Sequence, residues 1–146
     1  MKTVGPIGVA VLSSAVMVCA AGATEFSCQF EEGVVVPERV SVRYVSPTQI
    51  VVRDTFRESI GLSYPEEARV QRDTDTLLRV SWVTDNIPRS ITQKILMHGG
   101  NKLKYNFSIE RMTGKARLSW IKMGGGNSSA SSAPISRGQC RKVAGT

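Results

Sequence analysis

From Lys102 to Met123 the chain reads KLKYNFSIERMTGKARLSWIKM, and its apolar residues recur every second position. Leu103, Tyr105, Phe107 and Ile109 alternate with Lys104, Asn106, Ser108 and Glu110. Beyond Thr113-Gly114, Ala116, Leu118 and Trp120 alternate with Arg117 and Ser119. A helix would scatter such a series around its axis, whereas a pleated strand gathers it on one face. Two such runs joined by a glycine-containing turn define an antiparallel hairpin with one apolar and one polar side. Centring the turn on Thr113-Gly114 sets Ile109 opposite Leu118, Phe107 opposite Trp120 and Glu110 opposite Arg117. A slip of one residue would put Ile109 against Arg117 and bury charge, so that register is disfavoured. Gly114 is the residue free to take a positive φ and close the loop.

The same period runs through most of the chain. Phe26 to Phe30 alternates, and Val40, Val42 and Tyr44 share a face, as do Ile50 and Val52. Ala68 and Val70 alternate with Arg69 and Gln71, and Leu78, Val80 and Trp82 with Arg79 and Ser81. Ile91 to Met97 reads as a further strand. Turn residues recur at Ser46-Pro47-Thr48, Asp73 to Thr76, Asn86 to Pro88 and His98-Gly99-Gly100. Thr55 to Pro65 is the least regular stretch; Phe56, Ile60 and Leu62 suit one helical turn, or a loop laid across an open end. The pattern predicts an all-β chain, a single antiparallel up-and-down β-barrel of about eight or nine strands, with a β-sandwich as the alternative. Hairpin-like connections favour the meander, and closure removes its exposed edges. Tyr44, Trp82, Tyr105, Phe107 and Trp120 point inward on this reading and are bulky enough to fill the interior.

The N-terminus reads as a signal peptide over residues 1–23: Met1-Lys2, an apolar stretch from Ile7 to Ala21, then Ala21-Gly22-Ala23. Its apolar run falls short of the ~20 residues that a membrane span needs. Lipid attachment at Cys19 is the rival, but Val18 ahead of it suits that processing poorly. Cleavage leaves one barrel domain, 24–146, in a periplasmic or extracellular setting, with Cys28 and Cys140 as its two cysteines. An even pair in an exported chain predicts a disulfide, here tying the first strand to the last. Gly124 to Ala133 is Gly/Ser-rich and reads as a flexible loop.

No stretch carries the residues of a catalytic centre. His98, the one histidine, sits in a Gly-rich turn with no oriented partner or nucleophile in sight. Gly61-Leu62-Ser63-Tyr64-Pro65 lacks the second glycine of a nucleophile elbow. Ser119 and Lys122 match S-x-x-K by letter, yet on a strand they face opposite ways. Asp73-Thr74-Asp75 has acidic spacing but neither the glycine nor the distal glutamate of a calcium loop. The expectation is therefore a non-enzymatic protein without cofactor or metal.

Charge is distributed unevenly. Residues 24–86 hold seven basic and eleven acidic residues, whereas residues 87–146 hold eleven basic residues and one acidic, Glu110. Lys102, Lys104 and Arg117 fall on the polar face of the hairpin, with Arg111 and Lys115 at its tip. Arg137, Arg141 and Lys142 would join them if the last strand pairs beside it. These residues form a candidate surface for an anionic envelope polymer, lipid headgroups or an acidic protein. Nucleic acid fits poorly, because the hairpin aromatics point inward and leave no stacking platform. A carrier with a ligand inside the barrel and an enzyme inhibitor are the alternative functions.

Overall fold

The computed structural model describes residues 24–95, 97, 100–123 and 134–143. Residues 1–23, read above as a signal peptide, His98, and Gly124 to Ala133, read above as a flexible loop, lie outside these residues, as does Cys19. Eight strands follow one another around a closed antiparallel barrel, each pairing with its neighbours in sequence. They are β1 (Glu25–Phe30), β2 (Arg39–Ser46), β3 (Gln49–Asp54), β4 (Glu66–Asp73), β5 (Leu77–Thr84), β6 (Lys102–Glu110), β7 (Lys115–Met123) and β8 (Ile135–Val143). Two short helices, α1 (Thr55–Ser59) and α2 (Arg89–Lys94), lie in the β3–β4 and β5–β6 connections. β1 pairs with β8 to complete the ring, and Cys28 stands directly opposite Cys140, joined by the disulfide. The meander and its covalent closure are as the sequence predicts.

The inward residues are those of the alternating pattern. Val42, Val52, Leu78, Val80, Leu103 and Tyr105 are wholly buried, and Phe107, Ile109 and Leu118 nearly so. Aromatic rings fill the centre: Trp82 stacks on Tyr105 at 5.4 Å, and Phe107 meets both Trp82 and Phe30 at 6.3 Å. Tyr44 and Trp120 are half-buried at the margins of this core. One end of the barrel is covered by the β1–β2 loop, where Val35 is buried and its carbonyl accepts a 2.6 Å bond from the Tyr105 hydroxyl. α1 also caps that end, burying Phe56, in accord with the helical turn expected there.

Three expectations need correction. The Ile91–Met97 strand is instead α2, followed by a turn. Ile91 and Ile95, four apart, pack together against the core, and the Pro88 carbonyl accepts from the Ile91 and Thr92 amides. β5 and β6 meanwhile pair directly along their whole length, leaving no place for a strand between them. Val70 is partly exposed, because the ladder shifts register between Val70 and Arg72.

The third correction concerns the central hairpin. Tyr105 opposes Trp120, Phe107 opposes Leu118 and Ile109 opposes Ala116, so the register differs by two residues from that centred on Thr113-Gly114. A shift of two leaves every side chain on its expected face. The loop decides the matter: the Gly114 amide donates to the Glu110 carbonyl at 2.8 Å, with Gly114 at φ 74°. The Gly114 carbonyl in turn accepts from the Cys140 amide at 2.7 Å, docking the turn on β8. A Cβ on Gly114 would lie 2.4 Å from the Cys140 carbonyl oxygen, whereas Gly61, also at positive φ, has open space around it. Gly114→Ala should therefore cost about 2–4 kcal/mol, combining left-handed strain with a lost hydrogen bond. Gly61→Ala should cost about 1 kcal/mol. Urea unfolding midpoints of the two variants measure the difference; equal losses would contradict the docking role of Gly114.

Candidate anion-binding groove

Outward residues of β5 to β8 line up in transverse rows, since paired residues of antiparallel strands point the same way. One row runs Arg79, Ser108, Arg117, Arg137 through successive pairs, and Arg72 on β4 extends it beside Arg79. All four arginines are exposed, and none of their side chains makes an ion pair or hydrogen bond among the described residues. At about 4.8 Å between strands, Arg79 to Arg137 covers roughly 14 Å of surface. Arg79, Arg117 and Arg137, with Lys115 and Ser108, line a groove of about 510 Å³. Ala116 and Gly138, which oppose each other across β7 and β8 at inward-facing positions, border it from below. Glu110, the single acid of the lining, accepts a 2.9 Å hydrogen bond from the Thr113 hydroxyl.

The hairpin cations expected to act together are thus divided. Lys115 and Arg117 enter the groove. Lys102 and Lys104 do occupy the outer face, but opposite Met123 and Ile121, several residues along the strands. Glu110 does not oppose Arg117; Ser108 and Arg137 flank it instead. Arg111 turns back over the barrel end. It donates to Asp73 and to the Tyr44 hydroxyl, both at 2.6 Å, and lies over the rings of Phe26 and Tyr44. Burial lowers the Arg111 pKa, but its bonds to Tyr44 and Asp73 outweigh this and leave it raised. Burial, then the bond to Asp73, raises the pKa of Tyr44. Arg111 is therefore a closure of this end, and Asp73 is committed to it. Arg141 and Lys142 pair with β1, away from the groove.

Sequence reasoning missed Arg72 and Arg79, which lie in the acidic half of the chain and reach the groove only because β5 neighbours β6. It also missed a buried charge network at the opposite end of the barrel. Arg57 on α1 is 2% exposed; it donates to Glu66 at 3.1 Å and, more weakly, to the Val83 carbonyl and the Thr84 hydroxyl at 3.4 Å. Asp54 caps α1 by accepting from the Arg57 amide at 2.7 Å and also accepts from the Trp82 indole at 3.1 Å. Burial raises the Asp54 pKa despite these donors. Burial likewise drives the Tyr105 phenol far above its ordinary range, with the Asp54 charge adding to the effect. This network joins α1 to β3, β4 and β5, with the Arg57 Nε buried and without a hydrogen-bond partner among the described residues.

By fold the molecule belongs among small closed antiparallel barrels with a filled interior. No protein-family model, no curated protein sequence and no solved structure matches the chain.

Proposed function

We propose that this is an exported, non-enzymatic barrel that binds an anionic envelope component or a protein through the outer face of β5 to β8. The observation that carries this reading is the arginine row. Arg117 faces Arg137, and Arg72 faces Arg79, as direct cross-strand pairs of like charge. Such pairs are destabilising, and no acid among the described residues is bonded to them. Rules of stability are broken most often where function requires it. A groove lined by three guanidinium forks suits oxyanions, which accept paired, charge-assisted hydrogen bonds. A carrier function is less well supported, since Trp82, Tyr105 and Phe107 occupy the interior where a ligand would sit.

The test is binding of a soluble polyphosphate at low and high salt. Exchanging Arg79, Arg117 and Arg137 together for Gln should weaken binding on the order of 10- to 100-fold at low salt. Thermal stability should stay level or rise slightly, because cross-strand repulsion is removed. The same exchange at Arg39, Arg43 and Arg53, exposed on β2 and β3, should matter much less. Equal binding by the parent and both variants, or no binding at low salt, would reduce the row to a solvated surface.

A further inference from the structure

Beyond the arginine row, the same outer face changes character. Ile135 precedes Arg137 by two positions on β8, while Ile121 and Met123 follow Arg117 by four and six on the antiparallel β7. Ile135 is 64% exposed, and Ile121 and Met123 are each 38% exposed. Lys104 stands opposite Ile121, and Lys102 opposite Met123, so cations alternate with these apolar side chains across the ladder. Val83, half-buried opposite Lys104, continues the apolar row onto β5. The other exposed large apolar residues among those described, such as Val34, Tyr64 and Met112, belong to other strands and loops. Single exposed residues need no explanation, but a gathered set beside a charged groove does.

We infer that the anionic partner is the phosphate layer of a lipid surface, with Ile121, Met123 and Ile135 entering the interface beside the arginine groove. This rests on the anion-binding reading given above and deepens it. Charge complementarity selects a negatively charged surface, and the apolar row selects a bilayer over a soluble polyanion, which has no apolar layer to receive it. At about 3.3 Å per residue, Ile135 lies roughly 7 Å from Arg137 and Ile121 roughly 13 Å from Arg117 along the strands. Headgroup regions occupy roughly 5–8 Å on each side of the hydrocarbon. A tilted approach therefore lets the guanidinium groups stay at phosphate level while the apolar side chains reach the acyl boundary. Lys102 and Lys104 can lay their stems along the apolar row and keep their ammonium groups among the headgroups. Apolar burial and attraction to anionic lipid would then act together, as they do in other interfacial elements.

The experiment is vesicle flotation with protein purified from the exported fraction, its N-terminus determined. Vesicles are phosphatidylcholine alone, or phosphatidylcholine with about one third phosphatidylglycerol, at low salt and at 1 M salt, where the screening length falls to about 3 Å. Binding should require the anionic lipid and fall steeply with salt. Exchanging Arg79, Arg117 and Arg137 for Gln should weaken it on the order of 100-fold, taking about five-fold per cation near the surface. Exchanging Ile121, Met123 and Ile135 for Ser should weaken vesicle binding about tenfold or more while leaving soluble polyphosphate binding unchanged. Thermal melts of each variant establish that it is folded. If the apolar variant floats like the parent, or if neutral vesicles bind equally well, the membrane inference fails. Polyphosphate binding that persists in that case leaves the anion-binding groove standing and points to a soluble polymer or an acidic protein. If neither vesicles nor polyphosphate bind at low salt, both readings fall together.

Discussion

Exchanging Cys28 and Cys140 together for Ser should lower stability by about 4–5 kcal/mol, because the bridge closes a loop of roughly a hundred residues in the unfolded chain. The two cysteines are 112 positions apart. For a chain of this size the loss corresponds to a fall in Tm of roughly 15–20 °C. Both residues are buried where β1 meets β8, so the variant also leaves two hydroxyls facing each other in the seam. Exchange of both for Ala removes that contribution and separates it from the chain-entropy effect. Calorimetry of the oxidised parent, the reduced parent and the two double variants makes the comparison. A fall of less than about 5 °C in all three would mean that the β1–β8 ladder and the docking of Gly114 on Cys140 close the barrel without covalent help.

Truncating Arg57 should have the second largest effect. Arg57→Leu keeps the apolar stem but removes the cation that Glu66 and the α1–β5 contacts depend on. Breaking a buried pair in this way costs about 3–5 kcal/mol, and because Glu66 is one-third exposed the lower end is expected. Loss of the charge also leaves Asp54 without its nearest opposite charge, in a site whose burial already opposes ionisation. The Asp54 pKa should therefore rise further in the variant.

Asp54 also sets a pH dependence whose sign is fixed by the direction of its shift. Its folded pKa is raised above the ordinary carboxylate value. The folded state thus holds the Asp54 proton more firmly than the unfolded state does. This contribution to stability is largest below the unfolded pKa and is lost as pH rises through the folded one. Relative to Asp54→Asn, the parent should gain stability as pH is lowered through that window. Urea midpoints of both proteins measured between pH 7 and about pH 4 test this. A constant difference across the range would mean that Asp54 does not change protonation with folding.

Local alternation determined a great deal of this structure. The inward set of β6 and β7, from Leu103 to Leu118, could be read from period two alone, because a pleated strand sorts side chains by parity. The meander followed from short connections rich in turn residues, and the Cys28–Cys140 bridge from the two cysteines left near the ends of the chain once residues 1–23 are read as a signal peptide. Parity cannot distinguish a register from one two residues away, so Phe107 opposite Leu118 depended on how Gly114 docks on Cys140. Nor could it show that Ile91 and Ile95 would use their four-residue spacing in a helix, since that required β5 and β6 to exclude a strand between them.

The candidate site was legible only in part, for the same physical reason. Alternation placed Arg117 on the polar face of a hairpin and Lys115 at its tip, but a row across a sheet is built from strands distant in sequence. Arg79 and Arg137 become neighbours of Arg117 through the pairing of β5 with β6 and of β7 with β8. Arg111, as basic as the others in the sequence, is withdrawn by Asp73 and Tyr44, 38 and 67 positions earlier. Which side chains lie inside is a local property of the strand. Which charges stand together is a property of the closed barrel.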